Sequence, residues 1–167
     1  MKNTIKFLAV LLVVFNLTSC KKKDTPTIEE GGDAYYKVYI DGSLFSESPN
    51  DKHWGLINGD VSGGNDTDFG FTITNVPAIG QTVDVSYIDW VNNVDYVANN
   101  GGTVTEPMVV ISGNNISMNR ASMFSGSITR VSKYKITFTG TYKEEITQGA
   151  SHDFNGEIGV ESVIGTE

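Results

Sequence analysis

Apolar and polar residues alternate along much of the chain after residue 33, and this period of two is the pattern of a half-buried β-strand. The two clearest strands are 133–143 and 153–161. In the first, the apolar face carries Tyr134, Ile136, Phe138 and Tyr142; in the second, it carries Phe154, Ile158 and Val160. We expect these two strands to pair with each other across a loop near Gly149.

Further strands are predicted from shorter apolar or alternating segments, which are separated by Gly, Asn, Asp and Pro turn signals. They are 36–40, 54–56, 69–73, 83–87, 108–111, 116–118 and 124–128. The segment 89–100 is interpreted as a long loop or a single helical turn. The reason is that no window of about 11 residues after the leader combines helical spacing of apolar residues with caps.

Short strands at intervals of roughly 10 residues predict an all-β domain over residues 34–167. We expect an antiparallel two-sheet β-sandwich, with a closed up-and-down barrel as the alternative. The sandwich is favoured because the strands are short and uneven, whereas a closed barrel needs regular strands.

Acidic residues dominate the charge of the chain, which has 12 Lys and Arg against 20 Asp and Glu. No Lys or Arg occurs between Lys52 and Arg120. The acidic residues in that interval are Asp60, Asp66, Asp68, Asp84, Asp89, Asp95 and Glu106. This balance argues against nucleic acid as a partner, because phosphates are bound by Lys and Arg. It also predicts a negative surface in the middle of the domain.

The first 19 residues have the order of a secretion signal, with Lys2 and Lys6 followed by an apolar run over 7–15 and then by small residues. The run is shorter than the roughly 20 apolar residues that a transmembrane helix needs. We therefore interpret 1–19 as a signal peptide that lies outside the fold. Residues 20–33 are rich in charge, Pro and Gly, which predicts a flexible tether.

The leader ends in Leu17-Thr18-Ser19-Cys20, and Cys20 is the one cysteine of the chain. These four residues resemble the lipobox of bacterial lipoproteins. The resemblance implies cleavage before Cys20, a diacylglyceryl thioether on its sulfur, and a fatty acyl chain such as palmitate on its amine. Such a lipid holds a chain on a membrane without a spanning segment, and a lone cysteine leaves no intrachain disulfide.

The tether and the β-rich domain together resemble the small lipoproteins of the Bacteroidetes. The lysine that follows Cys20 does not look like the inner-membrane retention signal of enteric bacteria. The resemblance therefore implies a lipid-anchored protein of the cell envelope, at the outer membrane.

No catalytic motif is found in the sequence. The two histidines, His53 and His152, belong to no metalloprotease or nucleophile motif. Gly63-Gly64 and Gly101-Gly102 match no phosphate or dinucleotide loop. We expect a non-catalytic binding or structural module. The alternative is a small hydrolase or lyase that acts on an envelope or extracellular polymer with paired carboxylates.

A cation site is one hypothesis for the segment 60–68, which we interpret as a loop. Asp60, Asp66 and Asp68 would supply carboxylate oxygens to calcium, although their spacing fits no EF-hand. An Asx-rich hairpin turn accounts for the same residues without an ion. No other cofactor is expected.

A surface of aromatic rings is the second site hypothesis. The candidate residues are Trp54, Trp90, Tyr35 and Tyr39. The two tyrosines share the polar face of the first strand, and the amides after Trp90 could bond to hydroxyl groups. Exposed rings of this kind would bind a glycan or a protein partner, whereas core packing is the alternative use of the same rings.

Overall fold

The computed structural model describes residues 32–48, 53–65, 68–113, 120–143 and 149–165, which form eleven strands and one helix. The first six strands are β1 (Tyr35–Ile40), β2 (Ser43–Glu47), β3 (Gly55–Ile57), β4 (Asp60–Gly64), β5 (Phe69–Thr74) and β6 (Thr82–Ser86). Helix α1 (Tyr87–Asn100) comes next. The remaining strands are β7 (Met108–Gly113), β8 (Arg120–Ser132), β9 (Lys135–Lys143), β10 (Ser151–Gly159) and β11 (Ser162–Ile164).

The strands follow one continuous hydrogen-bonded path in the order β11-β3-β4-β5-β7-β8-β9-β10-β1-β2, and β6 pairs with β8 beside this path. Strands β11 and β3 are parallel, and the other pairs are antiparallel. The sheet curls into a mixed half-barrel. The all-β prediction is confirmed, whereas the antiparallel two-sheet sandwich is not, because the path is continuous and one pair is parallel.

Strand β8 belongs to both halves of the curled sheet. Its first residues pair with β7, and its stretch from Ser125 to Thr129 pairs with β6. Strands β6 and β7 therefore lie end to end along one edge of β8, and residues 87–107 are an excursion between them. The pairing of β8 with β9 shifts register between Met123 and Ser125, at the point where β7 gives way to β6. Such a bulge bends a strand and increases its twist.

A glycine pair lies beside this bulge. Gly126 of β8 faces Gly140 of β9 in the pairing register. A Cβ on Gly140 would lie 2.2 Å from the carbonyl oxygen of Ser125 and 2.7 Å from the Cα of Gly126. Neither neighbour is a flexible side-chain end, so the close approach of the two strands requires glycine here.

The core lies inside the curl, where both halves of the sheet present their apolar faces. The ring of Tyr36 on β1 packs against rings from β5, with centroid distances of 4.8 Å to Phe69 and 5.6 Å to Phe71. Trp54, just before β3, lies 5.9 Å from Tyr36 and 5.5 Å from Phe71. These contacts join strands that are far apart along the path, so they hold the curl closed.

The alternation predicted most of the strands correctly. Strands β9 and β10 pair over their whole length, and Ile136, Phe138, Phe154 and Ile158 are buried as expected. The predicted strands 36–40, 54–56, 69–73, 108–111 and 124–128 correspond to β1, β3, β5, β7 and part of β8. The predicted strand 116–118 and the leader 1–19 lie outside the described residues, as does Cys20.

The interpretation of 89–100 as a loop or a single turn is wrong, because Tyr87–Asn100 is a helix of 14 residues. The predicted strand 83–87 accordingly ends at Ser86 as β6. Ser86 is the N-cap, and its side chain accepts a hydrogen bond from the N–H of Asp89. Apolar residues do recur at helical spacing here, at Tyr87, Trp90, Val91, Val94 and Val97. The polar Asn and Asp between them concealed the pattern.

We predict that Gly140→Ala lowers the free energy of unfolding by about 2 kcal/mol, because overpacking forces the backbones of β8 and β9 apart. Urea denaturation of the purified chain measures the loss. The matched control is Thr139→Ala on the exposed face of the same strand, with an expected change within about 0.5 kcal/mol. Equal, small effects of both substitutions would contradict the proposed close approach.

Candidate functional site

A groove of about 550 Å³ lies on the outer face of the sheet at β4, β5 and β7. Its lining residues are Ser62, Gly63, Gly70, Phe71, Thr72, Thr74, Trp90, Met108, Val110 and Ser112. The volume falls within the usual range of small-molecule sites, which is about 300–1,000 Å³. This groove is therefore the candidate functional site.

The floor of the groove is concave because the outward positions of three neighbouring strands carry short side chains. Ser62 on β4, Thr72 on β5 and Val110 on β7 stand in one cross-strand row. The hydroxyl oxygens of Ser62 and Thr72 are 3.0 Å apart and share a hydrogen bond. In the next row, Gly70 faces Ser112, and a Cβ on Gly70 would lie 3.0 Å from the Ser112 hydroxyl oxygen. Any larger residue at position 70 would begin to fill the floor.

Trp90 on the first turns of α1 is the one aromatic residue on the helix side of the groove. Its ring is half-buried and lies 6.2 Å, centroid to centroid, from the ring of Tyr87. Both rings pack against the edge of the core. Trp90 therefore stands on a fixed element and offers part of its ring to the groove.

Hydrogen bonds fix the excursion that carries Trp90. The amide oxygen of Asn93 accepts from the N–H of Thr105, and the amide nitrogen of Asn75 donates to the carbonyl oxygens of Val104 and Glu106. Asn75 itself has φ 52°, and the Asp60 carboxylate accepts its N–H at 2.9 Å. Asp60 thus holds a turn under the excursion.

One polar side-chain atom of the groove lining lacks a hydrogen bond within the described residues. The hydroxyl oxygen of Thr74 is buried and has no hydrogen-bond partner in the part of the chain that the structure describes. Thr74 stands opposite Met108 in the register of β5 and β7, at the end of the floor away from Gly70. Leaving a buried hydroxyl without a partner costs about 1–3 kcal/mol, so such an atom at a groove calls for a functional explanation.

The four predicted aromatic residues are not brought together. Trp54 is a core residue with 8% of its surface exposed, and its indole N–H donates to the carbonyl oxygen of Gly159 at 2.7 Å. The prediction that Trp54 presents a ligand platform is wrong for this reason. Tyr35 and Tyr39 are half-buried on the outer face of β1, several strands along the path from the groove.

Tyr35 lines a second depression of about 450 Å³, together with charged residues of β1, β2 and β10. Glu157 is one of these residues, and Lys135 on the neighbouring strand β9 contacts its carboxylate at 2.6 Å. The hydrogen bond to Glu157 raises the pKa of Lys135, and Tyr35 adds to the shift. This network is exposed to solvent, and exposed ion pairs contribute little to stability.

The calcium hypothesis does not agree with the pairing register. Asp60–Gly64 is a strand, so Asp60 and Asp68 lie at opposite ends of the β4–β5 hairpin. One ion cannot be held by both carboxylates, and Asp66 lies outside the described residues. Within the described ranges, no group of three or more His, Cys, Asp or Glu is placed to hold a metal ion.

Each histidine is paired with one carboxylate. His53 Nδ1 lies 2.7 Å from Glu161, and His152 Nδ1 lies 2.7 Å from Asp41. The ring of His152 also stacks on Tyr142, with centroids 5.0 Å apart. The Asp41 carboxylate accepts a further bond from the N–H of Asp153 and so joins the β1–β2 turn to β10. Neither histidine lines the groove.

The residues of the groove floor were missed at the level of sequence. Their signal was present in the strand 69–73, whose outward positions are Gly70 and Thr72, with Thr74 next in the alternation. A glycine inside a strand often marks a place where a ligand or another backbone approaches closely, and the threonines beside Gly70 are short. A groove also needs the helix as a wall, and the sequence predicts only a long loop or a single helical turn at 89–100.

Comparisons with known proteins add no relative. No protein-family model matches the chain, and no curated protein or solved structure is significantly similar to it. In the part of the chain that the structure describes, α1 is too short and too polar to cross a membrane, and no other helix is present.

The Asp41 contacts predict a pH dependence. The hydrogen bond from His152, with a smaller contribution from the N–H of Asp153, lowers the pKa of Asp41 below its ordinary value of 3.8. A carboxyl whose pKa is lower in the folded chain adds stability above its unfolded pKa and loses it as the pH falls through the folded value. We expect wild-type stability to fall below about pH 4, and less steeply in Asp41→Asn.

Chemical denaturation at a series of pH values between about 2 and 6 measures this difference. His152→Phe, which removes the principal donor and keeps a ring beside Tyr142, should flatten the same part of the curve. Identical slopes for the wild type and both variants would show that this pair does not govern acid stability.

Proposed function

We propose that this chain is a lipid-anchored envelope protein whose domain binds a saccharide, without catalysis, in the groove beside Trp90. The observation that carries the proposal is the combination of an indole ring with hydroxyl-bearing short side chains in one groove of ligand size. Binding sites for small molecules share this composition, with apolar or aromatic walls and a few placed polar groups.

The chemistry of the lining fits a polyhydroxylated ring. One side of a pyranose is largely C–H and packs on an aromatic face, whereas its hydroxyls both donate and accept hydrogen bonds. The hydroxyls of Ser62, Thr72 and Ser112 can also do both, since a serine or threonine oxygen carries one proton and two lone pairs. The backbone groups between β5 and β7 are used in the ladder, so the side chains must supply the recognition.

The groove favours binding over hydrolysis. Among the described residues, those that line the groove carry neither a carboxylate nor a histidine that could act as a general acid or base. The hydrolase or lyase alternative would need two carboxylates about 5–9 Å apart in a cleft, and no described feature favours such a pair at this site.

The location is proposed from the leader and the anchor residue. Cleavage before Cys20 and lipidation of its thiol would leave the domain on a tether of residues 20–33. Two or more acyl chains give stable membrane attachment, since each buried methylene contributes about 0.8 kcal/mol. We place the protein at the outer membrane, where a groove on the outer face of the sheet is open to envelope or extracellular glycans.

Trp90→Ala should weaken saccharide binding about tenfold or more, which corresponds to roughly 1.4 kcal/mol, because aromatic anchors dominate such contacts. Calorimetric titration with neutral hexasaccharides of β-1,4-linked glucose, mannose and xylose provides the measurement. The control is Ile88→Ala, two residues earlier on the same helix, where the side chain is 59% exposed and outside the groove lining. Equal affinities of both variants and the wild type would reject the groove.

The anchor predicts a defined covalent state. Mass spectrometry of the protein from the host that makes it should find residues 1–19 removed and Cys20 carrying lipid. Cys20→Ser should lack the thioether-linked lipid, because serine has no thiol to carry it. A wild-type chain with its leader attached and an unmodified Cys20 would contradict the envelope location.

A further inference from the structure

The strongest unexplained feature of the groove is the hydroxyl of Thr74. Its oxygen is buried, lines the groove and has no hydrogen-bond partner among the described residues. The other threonine hydroxyls of neighbouring outward positions are satisfied, since Thr72 bonds to Ser62, and Thr82 on β6 bonds to Thr129 on β8. Thr74 therefore differs from these other threonines in that its hydroxyl lacks a hydrogen-bond partner.

We infer that Thr74 is a specificity-determining residue, whose hydroxyl takes a hydrogen bond from or gives one to a saccharide hydroxyl, directly or through one water. The inference rests on the proposed function of the groove. It deepens that function by assigning the contact that distinguishes one neutral sugar from another.

The Thr74 hydroxyl would gain a hydrogen-bond partner from some ligands and not from others. The buried Thr74 oxygen has no partner among the described protein groups, and a buried hydroxyl without a protein partner costs stability relative to a methyl group. A ligand that supplies the partner recovers this cost on binding, and a ligand that lacks the matching hydroxyl does not. Sites built around a specific hydroxyl reject analogues without it far more strongly than apolar pockets reject a missing methylene.

The position of Thr74 is suited to this role. It stands in register with buried Met108, whereas the opposite end of the floor is lined by Gly70 and Ser112. A sugar unit that lies along β5 would therefore meet the side-chain hydroxyls of Ser112 and Thr72 in the open part of the groove. At the other end it would meet the buried hydroxyl of Thr74. Because the Thr74 oxygen is covered in the free protein, a small side-chain rotation at this end must accompany binding.

The test compares Thr74→Val, which replaces the hydroxyl by a methyl of similar size, with Thr74→Ser, which keeps the hydroxyl. The full-length chain is used in a polyoxyethylene detergent, because sugar-headed detergents would compete for the groove. The probes are the β-1,4-linked hexasaccharides of glucose, mannose and xylose. Glucose and mannose differ in the orientation of one hydroxyl, and xylose lacks the hydroxymethyl group.

Thr74→Val should raise Tm by about 2–4 °C and lower the affinity for the most tightly bound probe about tenfold. The ratio of that affinity to the affinities for the other two probes should become smaller. Thr74→Ser should keep affinity within about threefold and the same order of preference. The control Thr129→Val changes a hydroxyl that has a partner and lies outside the groove lining, so it should raise neither Tm nor Kd.

Two results would overturn the inference while leaving saccharide binding in place. The first is a Thr74→Val chain that binds all three probes as the wild type does, and the second is an equal loss for all three. A wild-type chain that binds none of the probes would contradict the saccharide proposal itself, and the inference with it.

Discussion

The shape of this protein depends on the bend in β8, the strand that both halves of the sheet share. The register shift between Met123 and Ser125 turns the strand, and the glycine pair Gly126–Gly140 allows β9 to follow it closely. Because β6 and β7 lie end to end along the edge of β8, the chain between them has to leave the sheet and return. The helix that carries Trp90 is part of this excursion. The position of the site therefore depends on the bend in β8.

Because the sheet curls, its inner face forms the core and its outer face carries the groove. Rings from β1, β5 and the start of β3 meet inside, where Tyr36, Trp54 and Phe71 exclude water. The outer face of β5 and β7 is then free to carry short polar side chains, since the core does not need them. The same strand thus supplies Phe71 to the core and Thr72 to the groove through alternation alone.

The sequence predicted the strands well because alternation is a local signal. For β1 it also predicted the face of each residue: Tyr36 and Val38 are buried, while Tyr35 and Tyr39 are on the outer side. The burial of Trp54 could have been inferred in the same way, since Trp54 and Leu56 share a face and Leu56 belongs to the core. The hypothesis that Trp54 forms a ligand platform rests on residue type, which is weaker evidence than the position of a residue in a strand.

The curl and the parallel pair β11–β3 were beyond such reasoning. Each depends on contacts between residues far apart in the chain, such as Tyr36 with Phe69, and local periodicity holds no information about them. The helix was missed for a different reason. Its apolar spacing and its Ser86 cap are visible in the sequence, but Asn and Asp between the apolar positions resemble turn residues. The groove was not predicted because its side wall is α1, and the short side chains of β5 and β7 alone do not form a groove.

The central claim is that ligand meets the outer face of the sheet at Trp90, and the two tryptophans of the chain make it directly measurable. Each indole N–H gives its own signal in a ¹H–¹⁵N NMR spectrum, and the two rings occupy different environments. Titration with the neutral hexasaccharides should move the Trp90 indole signal and the amide signals of Gly70 and Ser112. The Trp54 indole, bonded to Gly159 in the core, should stay in place. Shifts confined to Tyr35, Tyr39 and their neighbours, with Trp90 unchanged, would contradict the account.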